Sequence, residues 1–551
     1  MQRTRSWLLL SALLLAAMLL PIWIGPYPPL YDYPNHLLEA QVAARYNDPQ
    51  LGYAAGYELR PGWQLRSNAL STLLMIALAQ IMPITIAGQL TLSLYLALFV
   101  GGLALLLRRT AADWPLLLLA PLLAYNSGFT NGWINFSYGA ALALIALAVY
   151  LGWQAAARQR DLLLLALLLV LIYVAHLVAW ALLLIVIAAL AAGQPWSRRR
   201  YGLLLIALNS ALPLLLLTRP LLGLAATLIG PGLWLGLSLI RRLRLRPVTL
   251  AIAGAALTLS AAGLIELSEP WWGPRLQGIV PDWAQKAVTP LRTLTLPHQF
   301  LPVDAALIAY NLLALALLLA LALLLTPALL APDAYRRQRL TALGVLGVVY
   351  VLIPSRTNDI IMTEPRVVLF MVFVALLGLR LPAAARRRRA GLLVGALALC
   401  LLSLGATTLY AQAYDRRARA WLAALDQLAP ARRVLMLRAA AEDAPPRRDL
   451  WRSFNAFYNG QQFSTVYTLR YGGFSSRIFE NGPVRPRPAF PIPLYYWPPF
   501  DNAAYVAESC PQLRAAYDAV LVWGQPDEPL RAALDDCFSP GPQFPDLAIW
   551  R

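Results

Sequence analysis

An aspartate and a histidine stand four residues apart directly after the first apolar stretch of the chain, as Asp32 and His36. A carboxylate at such a place could act as a general base at a membrane surface, with nearby aromatic residues and prolines fixing the backbone around it. The residues after Pro34 predict a helix with Asn35 as its N-cap, so Asp32 and His36 would share a helical face only if the helix began at Asp32. The alternative for Asp32 is an ordinary helix-capping residue in a loop.

A second polar stretch, YNSGFTNGWINF at 125–136, interrupts otherwise apolar sequence and contributes Asn131 and Asn135 as candidates for substrate binding. Asparagine and glycine in so apolar a chain indicate irregular backbone. At membrane depth such polar positions are expected mainly where they have a function. A plain turn is the alternative. His176 stands at the tip of a predicted helical hairpin and is a further binding candidate, with a buried, hydrogen-bonded histidine as the alternative.

The stretch 354–366 carries two arginines and a glutamate that could bind an anion. Arg356 and Arg366 could supply the forked guanidinium that holds a phosphate at the bilayer surface, and Glu364 could orient Arg366 or balance its charge. The alternative for Arg366 is a side chain that opens an apolar span and extends to lipid headgroups.

The composition indicates a membrane protein. Of 551 residues, 59% are hydrophobic and only 13% are charged, and Leu/Ala-rich runs recur that are long enough to cross a bilayer as helices. The formal net charge of +19 comes from arginines in short clusters between these runs. Such clusters are typical of cytoplasmic loops, so nucleic-acid binding is not predicted. Arg3 and Arg5 keep the N-terminus inside, and 7–25 is predicted to be an uncleaved first span that delivers Asp32 to the outer side.

Placing the basic clusters inside predicts an all-α polytopic membrane protein with about thirteen transmembrane helices. Beyond residue 160 the predicted spans are 161–174, 177–193, 202–217, 223–240, 248–265, 304–326, 340–353, 367–380 and 391–410. The apolar stretch 67–82 is either a partial helix or a full span, and we favour the partial helix. The short stretch 115–126 is predicted to bury its ends in protein. All the candidate residues above then face outward and could line one cavity, joined by Glu266, Glu269 and His298.

The chain is predicted to divide into two domains. Residues 1–410 would form the membrane domain, with 26–66 as a long outer loop, and residues 411–551 a small extracytoplasmic α/β domain. The predicted location is therefore the plasma membrane, with the N-terminus cytoplasmic and the C-terminal domain outside.

Local patterns support the α/β assignment of the C-terminal part. Residues 411–429 predict an amphipathic helix, and Val434–Leu437 and Val520–Trp523 predict short buried strands. Cys510 and Cys537 both fall in this outer part and are candidates for a disulfide.

Several chemistries find no motif in the chain. There is no Walker A loop, dinucleotide fingerprint, CxxC pair or HExxH motif. Three histidines spread over the chain do not predict a dedicated zinc site, and charged residues within the spans are too few for an ion or proton relay. No cofactor is predicted with certainty, and a divalent metal stays an open alternative.

Several local patterns occur together in the first 200 residues. They are a first span followed at once by a long outer loop, Asp32-Tyr-Pro-Asn-His36 within that loop, Gly128-Phe-x-Asn131 with Asn135-Phe-x-x-Gly139, and His176. Together they resemble bacterial members of the GT-C superfamily of integral-membrane glycosyltransferases. Beyond these residues only the architecture matches. Many better-known members carry a second acidic residue directly after the loop aspartate, where this chain has Tyr33.

The resemblance implies an inverting transfer of a hexosyl or pentosyl group from a polyprenyl-phosphate donor to a glycan, lipid or protein acceptor outside the membrane. A polyprenyl phosphate is already a good leaving group, so one carboxylate acting as base on the acceptor hydroxyl would suffice, and Asp32 is the candidate. Arg366 or Arg356 would stabilise the departing phosphate. A transporter or lipid flippase is the main alternative, and a structural or sensory membrane protein with an outer binding domain is a third.

Overall fold

The structure is a computed structural model of the chain, and it describes most of the membrane part and of the C-terminal part. The described residues are 2–192, 305–353, 363–381, 385–428, 433–439, 465–476, 502–545 and 547–551, with several shorter stretches between them. The predicted spans 202–217, 223–240 and 248–265 lie wholly or largely outside these residues. The same holds for Glu266, Glu269 and His298.

Helices make up most of the described chain. In chain order they are α1 (Gln2–Trp23), α2 (Tyr33–Ala44), α3 (Leu70–Ala79), α4 (Ile84–Arg109), α5 (Ile134–Ala156), α6 (Gln159–Ala175), α7 (Leu177–Ala192), α8 (Ala305–Leu330), α9 (Arg336–Leu352), α10 (Thr363–Ala375), α11 (Arg386–Leu425), α12 (Thr465–Tyr471), α13 (Asn502–Ala516) and α14 (Glu528–Cys537). Shorter helical turns lie at Tyr53–Gly56, Trp63–Leu65, Trp114–Leu119, Ala120–Ala124, Ser127–Thr130 and Asp426–Leu428.

Within the described residues, four helices are long and apolar enough to cross a membrane, namely Ile84–Arg109, Ile134–Ala156, Leu313–Leu330 and Arg386–Leu428. Shorter apolar helices lie at Trp7–Trp23, Leu70–Ala79 and Leu177–Ala192. The chain is therefore mostly helical with apolar helices of membrane-spanning length. The total of about thirteen spans stays a prediction.

Two apolar stretches do not form full spans. The stretch 67–82 forms only the ten-residue helix α3, which at about 15 Å covers half of the hydrocarbon core and agrees with the partial helix that we favoured. The stretch 115–126 forms a 3₁₀ segment and then a short α-helical turn. Residues 115–124 are all buried, as irregular backbone at membrane depth must be.

Helix α2 begins earlier than the sequence predicted. Asp32, and not Asn35, occupies the N-cap position, and the helix starts at Tyr33. The first turn closes where the His36 N–H donates to the Asp32 carbonyl oxygen at 3.2 Å. Pro34 is tolerated there because the first turn of a helix requires no N–H from it. Asp32, His36 and Glu39 therefore follow one another along the same face of α2.

The C-terminal part is built on a mixed five-stranded sheet. In chain order the strands of the molecule are β1 (Tyr57–Leu59), β2 (Arg356–Thr357), β3 (Ile360–Ile361), β4 (Arg433–Arg438), β5 (Phe474–Ser475), β6 (Val484–Pro486), β7 (Ala519–Trp523), β8 (Pro540–Gln543) and β9 (Leu547–Trp550). The sheet has the order β5-β4-β7-β9-β8, with β4 parallel to both its neighbours and β9 antiparallel to both of its own. The two predicted strands correspond to its central pair, β4 and β7.

One long helix and one disulfide connect the elements around this sheet. Helix α11 runs for 40 residues without interruption, about 60 Å at 1.5 Å per residue, so the domain boundary predicted at residue 410 falls inside it. A disulfide joins Cys510 of α13 to Cys537 of α14, with 5.6 Å between the two Cα atoms.

The first loop, 26–66, and the C-terminal part are built into one another. Strand β1 pairs antiparallel with β6, which lies more than 400 residues further along the chain. The Tyr53 hydroxyl donates to the Thr468 carbonyl oxygen at 3.1 Å, and the Gln41 amide donates to the Leu469 carbonyl oxygen at 3.0 Å. The loop that carries Asp32 is therefore held in place by the C-terminal part.

Candidate functional site

Asp32 is partly exposed and lies against the backbone of the turn 130–133. The N–H groups of Tyr31 and Asp32 donate to the carbonyl oxygens of Thr130 and Asn131, at 3.1 and 3.2 Å. Gly132 has a φ of 83°, and a Cβ at this position would come within 2.5 Å of the Asp32 nitrogen. Glycine is thus required both for the left-handed backbone and for the close contact. These backbone contacts fix Asp32 while it stays accessible to a substrate.

His36 and Glu39 extend the Asp32 face of α2 into the protein interior. His36 makes a hydrogen bond with the backbone of Gly132, but burial outweighs it and lowers the pKa of His36 to about 4. Its Nδ1 lies 3.9 Å from Oε2 of Glu39. Burial raises the pKa of Glu39 well above its usual value, with Arg60 opposing this rise and Asp32 adding to it. At neutral pH this part of α2 is therefore a neutral imidazole beside a carboxyl group held toward its neutral form.

Arg366 is buried and contacts the last residue of the turn 130–133. Its guanidinium carbon lies 4.4 Å from the ring centre of Trp133 and 5.4 Å from that of Phe136, so two aromatic faces cover it. Among the described residues, its buried Nε and Nη1 have no hydrogen-bond partner. Burial of this kind does not fit an arginine that reaches to lipid headgroups. A buried cation needs hydrogen-bonding or anionic partners, so Arg366 is a candidate to hold an anion.

His176 lies beside this guanidinium, in the turn between α6 and α7. Its ring packs edge-on against Phe136 with 5.4 Å between centres, and its Nδ1 accepts from the Val178 N–H at 3.1 Å. Burial, and secondarily the charge of Arg366, lower the pKa of His176 well below its usual value. The structure thus brings His176 next to Arg366 as a neutral residue.

The two asparagine candidates have different surroundings. Oδ1 of Asn135 accepts from the Ser71 N–H at 2.8 Å and its Nδ2 donates to the Asn68 carbonyl oxygen at 2.9 Å, so its contacts favour a structural role at the start of α3. Asn131 is also buried, but neither polar atom of its side chain has a hydrogen-bond partner among the described residues. Asn131 lies next to Gly132 and fits a binding role better.

The remaining candidates lie in or next to a small hairpin before α10. The backbone of Arg356 belongs to strand β2, which pairs with β3, and its side chain lies outside the described residues. Glu364 is fully buried in the first turn of α10. Its role of orienting Arg366 or balancing the charge of that residue stays a prediction.

The described residues do not offer a donor set for a metal ion. No group of three or more His, Cys, Asp or Glu side chains in the described ranges is arranged to hold one. The divalent metal that the sequence left open stays an open alternative.

Sequence reasoning missed Glu39 and the aromatic cover of Arg366. Glu39 stands seven residues after Asp32 and three after His36, a spacing that places all three on one helical face once the helix begins at Tyr33. Trp133 and Phe136 had no such local signal, because their partner Arg366 lies more than 200 residues away in the chain.

Comparisons with known proteins give little. No family model matches the chain, and no curated protein does. Among solved structures, the chain is similar to the cryo-EM structure of the arabinofuranosyltransferase AftD from mycobacteria, with a TM-score of 0.44 and 14% sequence identity. The match covers 99% of this chain and 40% of AftD, so the chain spans less than half the length of that protein.

Proposed function

We propose that the chain is a membrane glycosyltransferase that moves a sugar from a polyprenyl-phosphate donor to an acceptor hydroxyl on the outer side of the plasma membrane, with inversion. The observation that carries this proposal is that two unlike groups contact neighbouring residues of one turn. Asp32 packs on Gly132, and the buried guanidinium of Arg366 packs on the ring of the next residue, Trp133. A base and a cationic anion site are the two groups that a displacement at a sugar phosphate needs.

The proposed reaction uses each group once. The Asp32 carboxylate takes the proton from the acceptor hydroxyl, whose oxygen attacks the anomeric carbon of the donor sugar. The bond between that carbon and the phosphate oxygen breaks, and its electron pair leaves with the phosphate. Attack from the face opposite the phosphate inverts the anomeric configuration. The N–H groups of Arg366 pair with the phosphate as its negative charge grows, which lowers the barrier more than it strengthens donor binding.

The donor on this proposal is a lipid-linked phosphate, with which the Arg366 guanidinium would pair. Exposed leucines of helix α4, such as Leu90 and Leu94, are apolar surface of the kind along which a polyprenyl chain lies in a bilayer. The acceptor on this proposal is a glycan, lipid or protein hydroxyl that reaches Asp32 from outside.

The test is sugar transfer by the purified full chain in proteoliposomes that contain candidate polyprenyl-phosphate sugars. Asp32→Asn is nearly isosteric and removes the base, so we expect kcat to fall by about 10²–10⁴-fold while donor binding is kept. Asp48→Asn is the matched control, because Asp48 lies in the same loop and its Oδ1 accepts a hydrogen bond from the Gln50 N–H. Full activity of Asp32→Asn would remove Asp32 from the mechanism. Lipid flux without sugar transfer would favour a flippase instead.

A further inference from the structure

The buried end of the α2 face meets the C-terminal part of the chain. Glu39 is only 2% exposed, and Gly482, just before β6, packs directly on its carboxyl group. A Cβ built on Gly482 would overlap Oε1 of Glu39. The adjacent Pro483 accepts a hydrogen bond from the Arg60 N–H at 2.9 Å, which continues the β1–β6 pairing to this point.

Glu39 is also connected to the turn that holds Asp32. Its Oε2 faces Nδ1 of His36 at 3.9 Å, and His36 makes a hydrogen bond with the backbone of Gly132. Asp32 and Glu39 are two turns apart on one short helix, so the helix moves as a unit and a displacement at Glu39 is transmitted to Asp32. Oε1 of Glu39 has no hydrogen-bond partner among the described residues. The contact between this carboxyl group and Gly482 is therefore one of packing.

We propose that Glu39 is a positioning residue through which the C-terminal part of the chain fixes the place of Asp32. Gly482 leaves the room that the Glu39 carboxyl group needs, and Glu39 with His36 holds α2 against the Gly132 turn. The inference rests on the proposed function, in which Asp32 is the base. It adds that the outer part completes the active site from behind and is not an independent binding module.

The decisive variant is Gly482→Ala, which places a methyl group where Oε1 of Glu39 lies. We expect kcat to fall about a hundredfold with little change in the donor KM, because a displacement of about 1 Å is enough for such a loss. Gly405→Ala is the matched control, since a Cβ there meets no atom within 4 Å. Glu39→Gln keeps the shape of the side chain and is expected to retain activity.

A double variant separates positioning from misfolding. Glu39→Ala removes the atoms with which the methyl group added by Gly482→Ala would collide, so Glu39→Ala/Gly482→Ala should be no less active than Glu39→Ala alone. Losses that multiply in the double variant would overturn the proposal, and so would a Gly482→Ala protein as active as Gly405→Ala.

A readout without catalysis keeps the test independent of the proposed function. With Asp32→Cys as the background, the rate of thiol labelling at residue 32 reports its position. Gly482→Ala should change that rate several-fold, and in the presence of Glu39→Ala the added Gly482→Ala should cause no further change. An unchanged rate would overturn the positioning role. If the wild-type chain transferred no sugar from any donor tested, the proposed function would fail while this labelling result still decided the position of residue 32.

Discussion

The two halves of the candidate site are built in different ways. The carboxylate half, Asp32 with His36 and Glu39, lies on the short helix α2 and is held by backbone contacts and by the C-terminal part. The guanidinium half, Arg366 with its aromatic cover, is held by packing among apolar helices. The candidate base is therefore fixed by residues from the first loop and the C-terminal part, and the candidate anion site by apolar helices.

This difference has a functional meaning on the proposed mechanism. A base must meet acceptors that arrive from water, so partial exposure suits it. A group that stabilises a leaving phosphate acts more strongly when water is excluded, so burial suits it. Changes in one half should then leave the other half largely intact, and the following predictions test that separation.

After the loss of the base itself in Asp32→Asn, the largest effect is expected at Arg366. Arg366→Ala should lower kcat by about 10²–10³-fold, or about 2.7–4 kcal/mol in the barrier, because it removes the donors that meet the departing phosphate. Arg366→Lys should be milder, since it keeps the charge but loses the planar fork. The exposed Arg337→Ala is the control in turnover assays. Wild-type turnover of Arg366→Ala would show that the two halves do not form one site.

Loss of the disulfide should weaken the carboxylate half first. Cys510 and Cys537 are 27 residues apart, so breaking their bond should lower the stability of the C-terminal part by about 3–4 kcal/mol. Thermal melts of Cys510→Ser/Cys537→Ser would measure this loss. In the variant without the disulfide, heating should first speed up thiol labelling of Asp32→Cys. Release of the bound donor should begin only at a higher temperature. Cys400→Ala, which removes the buried free thiol, should leave the melt unaltered.

His36 should make the same half sensitive to acid. Unfolded histidine takes up a proton near pH 6.5, whereas His36 in the folded chain does so only near pH 4. The unfolded state therefore binds more protons between these values, and folding stability falls as pH drops from 6.5 toward 4, by up to about 3 kcal/mol. In His36→Gln this contribution should vanish, which a comparison of melting temperatures at pH 7.5 and 4.5 would show. Equal acid sensitivity in both proteins would contradict the prediction.

The smallest effect is expected from the aromatic cover of Arg366. Trp133→Leu should weaken donor binding by about 1 kcal/mol. This value lies between those typical of exposed and of fully buried cation–π contacts. Phe136→Leu should have a smaller effect, because its ring centre lies further from the guanidinium carbon, at 5.4 Å against 4.4 Å. Donor affinities of the two variants would rank them. The reverse order would mean that Trp133 serves the Asp32 side of the turn instead.

The features that sequence predicted well are those with a local signal. Helix α3 ended within ten residues as its short apolar run suggested, and the apolar runs at 434–437 and 520–523 form the central strands of the sheet. Asp32 was singled out from its own neighbours. The start of α2 was missed by a few residues, because Asn35 offered an equally good cap and Pro34 fits the first turn of a helix that begins at Tyr33.

What sequence could not predict is contact between distant residues. Pairing of β1 with β6, the fit of Gly482 on Glu39, and the cover of Arg366 by Trp133 each join residues hundreds of positions apart. Nothing in a single local pattern specifies such a partner. Likewise, the amide contacts of Asn135 could not be told from those of Asn131 before the position of α3 was known.

Because α11 is continuous, it affects how the C-terminal sheet is oriented relative to the first loop. This helix carries four arginines at its start, while near its end Asp415 packs on Gly25 after α1 and Trp421 meets Trp523 of β7 at 5.2 Å. A continuous helix transmits rotation as well as length, at about 100° for each residue. One added residue in its middle would turn Asp415 and Trp421 away from both partners at once. The rotation of α11 about its own axis thus sets the orientation of the sheet relative to the loop that carries Asp32.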